Sequence, residues 1–465
     1  MIAGFERVLV IGLGKSGRAS VRVLSELGSK IWATDEGSEE NLTSALAEVK
    51  KLKATFVAPN DIDEILGELD AAVLSPGVPL NSQFVRRVQS ARVPVYSEIE
   101  VAFRLCKAPI IALTGTKGKT TTTALVGHIL RGANKKARVG GNIGNPLIEE
   151  AFVAEPNDWV VAEVSSFQLE SIRSFKPRIS SIINISPDHL DRYFSMDEYA
   201  EAKFRIFANQ NAGDTFVGNL DDERIGSLAE GEGAVRVKCR ALWYSREPHR
   251  NSTLYLRNNE KVVYAPPTGD PRPIDIMDVN EIPLLGEHNV DNVMAATLMA
   301  LSAGVPPKKI RDSVTSFKAL PHRLTEVAEI GGVRYIDDSK ATNPGSVIAA
   351  LRTFDDGHIV LIAGGKAKGT DFVEFGKAVS SRTRAVVLIG AAADEMASVI
   401  KRAKVVRAHS MEHAVEAAAE LAKPGDVVLL SPGCASFDMF ASAEARGDAF
   451  VAAVKRLERG TEAVH

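Results

Sequence analysis

Residues 110–126 read IIALTGTKGKTTTTALV. An apolar run ends at Thr114, breaks into Gly115-Thr116-Lys117-Gly118-Lys119-Thr120-Thr121, and resumes with helical character. Glycines at these positions let the backbone curl until successive N–H groups point at phosphate oxygens, helped by the positive end of the following helix. Lys119 would lie along the β- and γ-phosphates, and Thr120 would offer its hydroxyl to magnesium. The spacing is tighter than the usual G-x-x-x-x-G-K-[ST], since the first glycine stands only three residues before the second. The alternative is a Gly/Thr-rich turn with a solvated lysine, but a strand before the loop and a helix after it favour nucleotide binding.

A second glycine-rich stretch lies upstream. Residues 10–18, VIGLGKSGR, carry Gly12, Gly14 and Gly17 as G-x-G-x-x-G after an apolar run, and Asp35 closes the next short apolar run. This is the pattern of a dinucleotide-binding unit. A nicotinamide dehydrogenase would leave TGTKGKT unexplained, and a simple P-loop ATPase or kinase would leave the first turn idle. Such a turn recognises phosphate, not nicotinamide, so the pair predicts an ATP-consuming enzyme whose other substrate also carries a nucleotide.

The same alternation continues along the chain. VLVIG, KIWATD, AAVLSPG and VPVYSE predict a first small parallel α/β domain. IIALTG, DWVVAEVSS and ISSIINIS predict a second, to which residues 220–285 add β-like pieces expected to be antiparallel. GGVRYIDDS, HIVLIAGG, RAVVLIG and DVVLLSPG predict a third, also doubly wound. The expected fold class is therefore α/β in three domains: an N-terminal Rossmann-like domain (1–97), a central P-loop-type domain (98–319) and a C-terminal Rossmann-like domain (320–465).

The 465 residues are too many for one core. A hydrophobic share of 45%, a charged share of 25% and a net charge of −3 fit an ordinary globular protein and give no reason to expect nucleic acid as a partner. Three scattered cysteines, Cys106, Cys239 and Cys434, match no disulfide or zinc pattern and point to a reducing cytoplasm. No stretch approaches the roughly 20 apolar residues of a membrane span.

Several polar residues follow predicted strands, where open α/β sheets bind ligands. Glu163 ends WVVAE and would reach a metal from a cleft, or else sit on the surface. His189 in PDHLD follows SIINIS and serves either packing or a metal. Asn142 lies in GGNIG, which is otherwise an ordinary turn. His288, Asn289 and Asn292 open a predicted helix, where asparagine is also a common cap. Arg323 in LPHR could close over ATP or form a linker ion pair. Cys434 reads as a small core residue. Ser195 and Glu198 have capping-box spacing, so a helix should begin at Met196. On it Met196, Tyr199, Lys203 and Ile206 form an apolar stripe, and on periodicity alone the Lys203 ammonium would snorkel to solvent.

TGTKGKTTT, GGNIG, EVSSFQLE, NISPDHLDR, GEHNVDN, LPHR, DDSKATNP and LLSPGCASFDMF occur in one order that resembles the Mur ligases across essentially the whole chain. GLGKSG, the SPG turn at Ser75 and Lys340 in DDSKATNP resemble the D-glutamate-adding branch. Folylpolyglutamate-type ligases share the chemistry but usually lack the first domain. The resemblance implies a cytoplasmic, monomeric enzyme of peptidoglycan precursor synthesis. It would use ATP and two Mg2+ ions to join D-glutamate to UDP-N-acetylmuramoyl-L-alanine through an acyl phosphate. It further implies that Gly14, Lys15, Ser16, Asp35, Ser75, Pro76, Gly77 and Asn142 bind the UDP substrate. Asn289, Asn292, Arg323 and Asp338 would join the phosphate loop on ATP, and Lys340, Thr342, Lys368, Ser436 and Phe437 would hold D-glutamate. Thr120 and Glu163 resemble ligands of one magnesium; His189 and Lys203, the latter as a carbamate made with carbon dioxide, resemble ligands of the other. Two departures stand out: Glu36-Gly37 replaces the family's hydroxyl and basic residue after Asp35, and Ala443 replaces a phenylalanine.

Overall fold

The computed structural model describes residues 3–188, 192–231, 235–267, 272–367, 369 and 371–462. Among these residues twenty strands assemble into three sheets. The first holds β1 (Arg7–Ile11), β2 (Lys30–Thr34), β3 (Thr55–Phe56), β4 (Ala71–Leu74) and β5 (Val95–Ser97) in the order β3-β2-β1-β4-β5. All its pairings are parallel. The chain winds to one side of β1 and then to the other, so a crevice opens at the carboxyl ends of β1 and β4, where Gly12 and Ser75 stand.

The second sheet contains β6 (Ile110–Thr114), β7 (Ala137–Gly141), β8 (Trp159–Glu163), β9 (Ile179–Ile182), β10 (Thr215–Asn219), β11 (Arg240–Ser245), β12 (Ser252–Arg257), β13 (Lys261–Tyr264) and β14 (Ile274–Asp278). Its order is β14-β13-β12-β11-β10-β9-β6-β8-β7. β6 lies between β8 and β9, so the phosphate loop leaves the sheet where the winding reverses. Its sequence IIALT is buried throughout, as expected of a central parallel strand covered on both faces.

The antiparallel addition expected within residues 220–285 is present, with β11 as a correction to it. β12, β13 and β14 do pair antiparallel, but β11 is parallel to both β10 and β12. Parallel neighbours usually need a long crossover. Here Ser252 pairs with Trp243 and Tyr255 with Ser245, so only the last three residues of β11 overlap with β12. The chain steps back roughly 7 Å, which residues 246–251 span easily.

The third sheet has β15 (Thr325–Ile330), β16 (Val333–Asp337), β17 (Ile359–Gly364), β18 (Thr383–Ile389), β19 (Lys404–Arg407) and β20 (Val427–Gly433), ordered β15-β16-β20-β17-β18-β19. Among the described residues only the edge strand β15, absent from the sequence reading, runs antiparallel. The chain divides into two compact units: Met1–Ile282 with Asp291–Phe317, and Pro283–Val290 with Lys318–His465. The first two sheets share the first unit and a common core cluster, and the third sheet forms the second unit. Among the described residues no helix is long and apolar enough to cross a membrane.

Candidate active site

In the first unit two glycine turns are built differently. Gly12 has φ +86°, and a side chain there would meet Val78 and Ser75. Ser75 Oγ donates to the Gly12 carbonyl at 2.7 Å, tying the SPG turn to the first glycine turn. A Cβ on Gly17 would lie 1.8 Å from the Gly12 oxygen, so helix Lys15–Glu26 packs against the turn only because residue 17 has no side chain. Asp35 braces the turn from β2, accepting the Leu13 N–H at 2.6 Å and the Gly37 N–H at 2.8 Å. A cavity of about 120 Å³ opens between Gly12, Asp35, Glu36, Gly77 and Pro79. Gly14 and Lys15 are exposed, while Ser16 and Pro76 are half-buried.

The phosphate loop is tighter. Gly118 has φ +78° and precedes helix Lys119–Gly132. A Cβ there would fall 2.2 Å from Asn292 Oδ1, which also accepts from the Thr122 hydroxyl at 3.1 Å. The structure thus puts Asn292 directly against the loop. Asn184, just past β9, locks the loop from the other side. Its Oδ1 accepts the N–H groups of Thr116 (3.1 Å) and Lys117 (2.8 Å), and its Nδ2 donates to the Lys117 carbonyl at 3.0 Å. Sequence reasoning missed Asn184, although an asparagine ending a buried apolar run was a usable signal. Thr120 is half-buried and Thr121 buried on the first turn of the helix.

Two amines meet at one carbonyl. Lys119 Nζ donates to Gly115 O and Thr116 O, both at 2.9 Å, and Lys203 Nζ donates to the same Gly115 O at 3.0 Å. Helix Met196–Phe204 begins as expected, with Ser195 Oγ accepting the Glu198 N–H at 3.1 Å. The reciprocal bond is shifted by one residue, because Glu198 accepts from Phe194 N–H and not from Ser195. The snorkelling expectation for Lys203 is overturned: the side chain is only 2% exposed. The stripe that carries it faces the loop, so its ammonium has a carbonyl to reach and no path to water. Burial lowers its basicity well below the ordinary lysine range, the Lys119 charge lowers it further, and Asp188 opposes both.

Glu163 ends β8 beside Leu113 of β6 and Gly141 of β7, and is 1% exposed. Asn142 donates its N–H to the Glu163 carbonyl at 2.9 Å and its Nδ2 to Oε1 at 2.8 Å. Oε2 is buried with no hydrogen-bond partner among the described residues. An orphaned carboxylate oxygen at the carboxyl edge of the sheet, next to a phosphate loop, fits a hard divalent cation, which takes oxygen ligands. His189 lies outside the described residues. Among those described, no group of three or more His, Cys, Asp or Glu side chains could hold a metal. Lys15 Nζ donates to the Gly144 carbonyl, so the GGNIG loop is tied both to Glu163 and to the first glycine turn.

In the second unit, His322 (φ +63°) and Leu324 (φ +49°) bracket Arg323 in left-handed backbone. That turn is held by His322 Nδ1 against Asp337 Oδ2 at 2.7 Å and by the Lys340 N–H donating to the His322 carbonyl at 3.1 Å. Asp338 follows β16 and accepts from the Ser431 hydroxyl at 2.9 Å; burial pushes its carboxyl up to about 7, against Ser431 and Arg323. Asn289 donates its Nδ2 to Leu285 O at 2.7 Å. Lys340 pairs with Glu444, whose carboxyl is held down at about 2 mainly by that bond. Thr342 and Phe437 are exposed and Ser436 is buried, while Lys368 lies outside the described residues. Arg446, also missed, is 1% exposed and donates to Ser339 Oγ, Ser339 O and Cys434 O, joining the ends of β16 and β20. Burial pushes the Cys434 thiol up to about 12, consistent with a core residue.

The family described as Mur ligase MurD-like, N-terminal domain matches residues 6–97, Mur ligase middle domain matches 113–300, and Mur ligase, glutamate ligase domain matches 322–434. A UDP-N-acetylmuramoylalanine--D-glutamate ligase of Koribacter versatilis is 41% identical over 452 residues, covering 97% of this chain and 98% of its own. One from Thermoanaerobacter sp. is 41% identical over 459 residues, 98% and 99% of the two chains. Among solved structures, MurF ligase from Thermotoga maritima in complex with ADP aligns with a TM-score of 0.61 at 15% identity, covering 100% of both chains. UDP-N-acetylmuramate-alanine ligase MurC from the same organism aligns at 0.58 with 21% identity, covering 97% and 99%. These two likenesses establish the three-domain fold alone.

Proposed function

The chain belongs to the Mur ligase family, and on that premise we propose that it joins D-glutamate to UDP-N-acetylmuramoyl-L-alanine, consuming ATP and yielding the UDP-linked dipeptide, ADP and phosphate. The observation that carries this reading is the convergence of Lys119 and Lys203 on Gly115 O, with the loop residue Asn142 joining Glu163 to the Lys15 side of the first glycine turn. A phosphate site and a second nucleotide-type turn stand connected, as a ligase with a UDP-carrying substrate requires. We place the domain boundaries at 97/98 and 319/320 and the protein in the cytoplasm as a monomer.

The substrate's alanyl carboxylate attacks the γ-phosphate, giving an acyl phosphate and ADP. The D-glutamate amine then attacks the acyl carbon, forms the amide, loses a proton and expels phosphate. Bringing a carboxylate to a triphosphate opposes like charges, each pair costing about 4 kcal/mol at 4 Å and an effective dielectric of 20. Lys119 answers this from the phosphate loop. Magnesium would neutralise phosphate charge and fix geometry when bound; Thr120 and Glu163 would hold one ion, His189 and Lys203 the second. Lys203 would take that role by adding carbon dioxide to its amine and releasing a proton, and burial favours the neutral amine that this addition needs. Asp338 takes the ribose, Asn289 and Asn292 the base region, and Arg323 the phosphates. Lys340, Thr342, Lys368, Ser436 and Phe437 receive D-glutamate, with Glu444 leaving Lys340 as the substrate carboxylate arrives.

Phosphate release with ATP and magnesium tests the proposal. It should require UDP-N-acetylmuramoyl-L-alanine and D-glutamate together; release that ignores both acceptors would refute a ligase.

A further inference from the structure

Glu98 opens helix Glu98–Leu105 directly after β5 and is 1% exposed. Its Oε1 accepts the Ile148 N–H at 2.6 Å, while Oε2 is buried without a partner among the described residues. Ile148 is the second residue of helix Leu147–Phe152, where the leading N–H groups have no acceptor within the helix. A carboxylate from the edge of the first sheet therefore caps a helix belonging to the second.

That helix is the continuation of the loop at 141–146. Asn142 at one end of the loop holds Glu163 through two hydrogen bonds. Gly144 O receives Lys15 Nζ from the first glycine turn. The loop closes on itself through Gly141 N–H donating to Asn145 O at 2.8 Å. At its far end the helix packs Leu147, Ile148 and Ala151 against helices Lys15–Glu26 and Glu98–Leu105, and the polar ties there are Glu98 to the Ile148 N–H and, at the next residue, the Arg22–Glu149 ion pair. Glu149, the charge that acts on Glu98, is itself paired with Arg22. Burial, reinforced by Glu149, raises the Glu98 carboxyl to about 7.

We propose that Glu98 is a positioning residue for the UDP-linked substrate. By capping helix Leu147–Phe152 it holds the 141–146 loop, and with it Asn142, in register with Lys15 and the first glycine turn. The inference rests on the ligase reading above.

Full-length Glu98→Ala and Glu98→Gln enzymes test it. Glutamine keeps the Oε1 acceptor; alanine removes it. In Glu98→Ala the KM for UDP-N-acetylmuramoyl-L-alanine should rise about tenfold or more, with the constants for D-glutamate and ATP within about twofold, and Glu98→Gln should recover most of the loss. If near-ultraviolet circular dichroism shows Glu98→Ala unfolded, Glu98→Met, which fills similar volume without an acceptor, replaces it. Equal rises in all three constants, or a glutamine variant no better than the apolar one, would overturn the inference. Wild-type enzyme lacking acceptor-dependent phosphate release would instead break the ligase reading, and this inference with it.

Discussion

The turn at residues 12–17 and the loop at 115–120 share one local plan, a buried parallel strand, glycines and a helix, yet they are equipped differently. In the first, side chains of the same small domain do the bracing: Ser75 on Gly12 O, Asp35 on the Leu13 N–H, and helix packing through Gly17. Its lysine, Lys15, reaches outward to Gly144. In the second, partners arrive from distant parts of the chain: Asn184 onto Thr116 and Lys117, Asn292 onto Gly118, and Lys203 onto Gly115. Oriented N–H groups at a helix start suffice to hold phosphate. Transfer of a phosphoryl group needs a cation held at the phosphates as well: Lys119 folds back onto its own loop, whereas Lys15 points away from its turn.

On that contrast, Lys119→Ala should lower acceptor-dependent phosphate release by about 10³-fold while UDP-substrate affinity, measured by calorimetry, stays within about threefold. A comparable loss of substrate affinity would mean that the two turns do not divide the work. Lys203→Ala should follow, with activity down a few hundredfold, on the order of one lost electrostatic group. Carbon-13 bicarbonate should give wild-type enzyme a carbamate NMR signal that the variant lacks. A fully active Lys203→Ala enzyme would remove the carbamate from the mechanism.

Glu98 sharpens the comparison at the joint between the two turns. Its folded value of about 7 exceeds its ordinary 4.5, so the native protein holds this proton more tightly than the unfolded chain. The resulting stabilisation is complete below about pH 4.5 and is lost as pH rises through 7. Between pH 5 and 8 wild type should therefore lose about 2.5 kcal/mol relative to Glu98→Gln, read from urea unfolding at each pH. Parallel stability curves for the two proteins would contradict the raised carboxyl. The smallest effect belongs to Gly17→Ala. Its Cβ meets Gly12 O, and moving the helix away should cost roughly 2 kcal/mol. Weakened UDP-substrate binding with unchanged ATP binding is the expected result, and equal weakening of both would erase the distinction between the turns.

Much of the site was legible because its residues follow strands whose apolar runs are unmistakable. Gly115–Thr121 and Glu163 could be placed at strand ends by pattern alone, and Ser195 with Glu198 announced the start of the helix bearing Lys203. Other features were hidden for physical reasons. Asn184 and Arg446 act by hydrogen-bonding backbone carbonyls and N–H groups far away in sequence, which leaves no periodic trace. Glu98 looks like any first-turn glutamate, favourable at a helix N-terminus on dipole grounds alone. The parallel pairing of β11 with β12 defied the short link between them, because overlap at strand ends is decided by register and not by loop length.

By itself the sequence determined the three α/β layers, the two phosphate-type turns and the ordered motifs of a Mur ligase, since strand–turn–helix units are written in local apolar periodicity and glycine placement. Only the tertiary structure decided that Lys203 turns inward, that one oxygen of Glu163 has no hydrogen-bond partner among the described residues, and that Glu98, just past the first sheet, caps a helix that packs with the second. Those outcomes depend on which carbonyls, N–H groups and apolar walls meet a side chain after folding, and burial changes a charged group's energy by more than any local preference does.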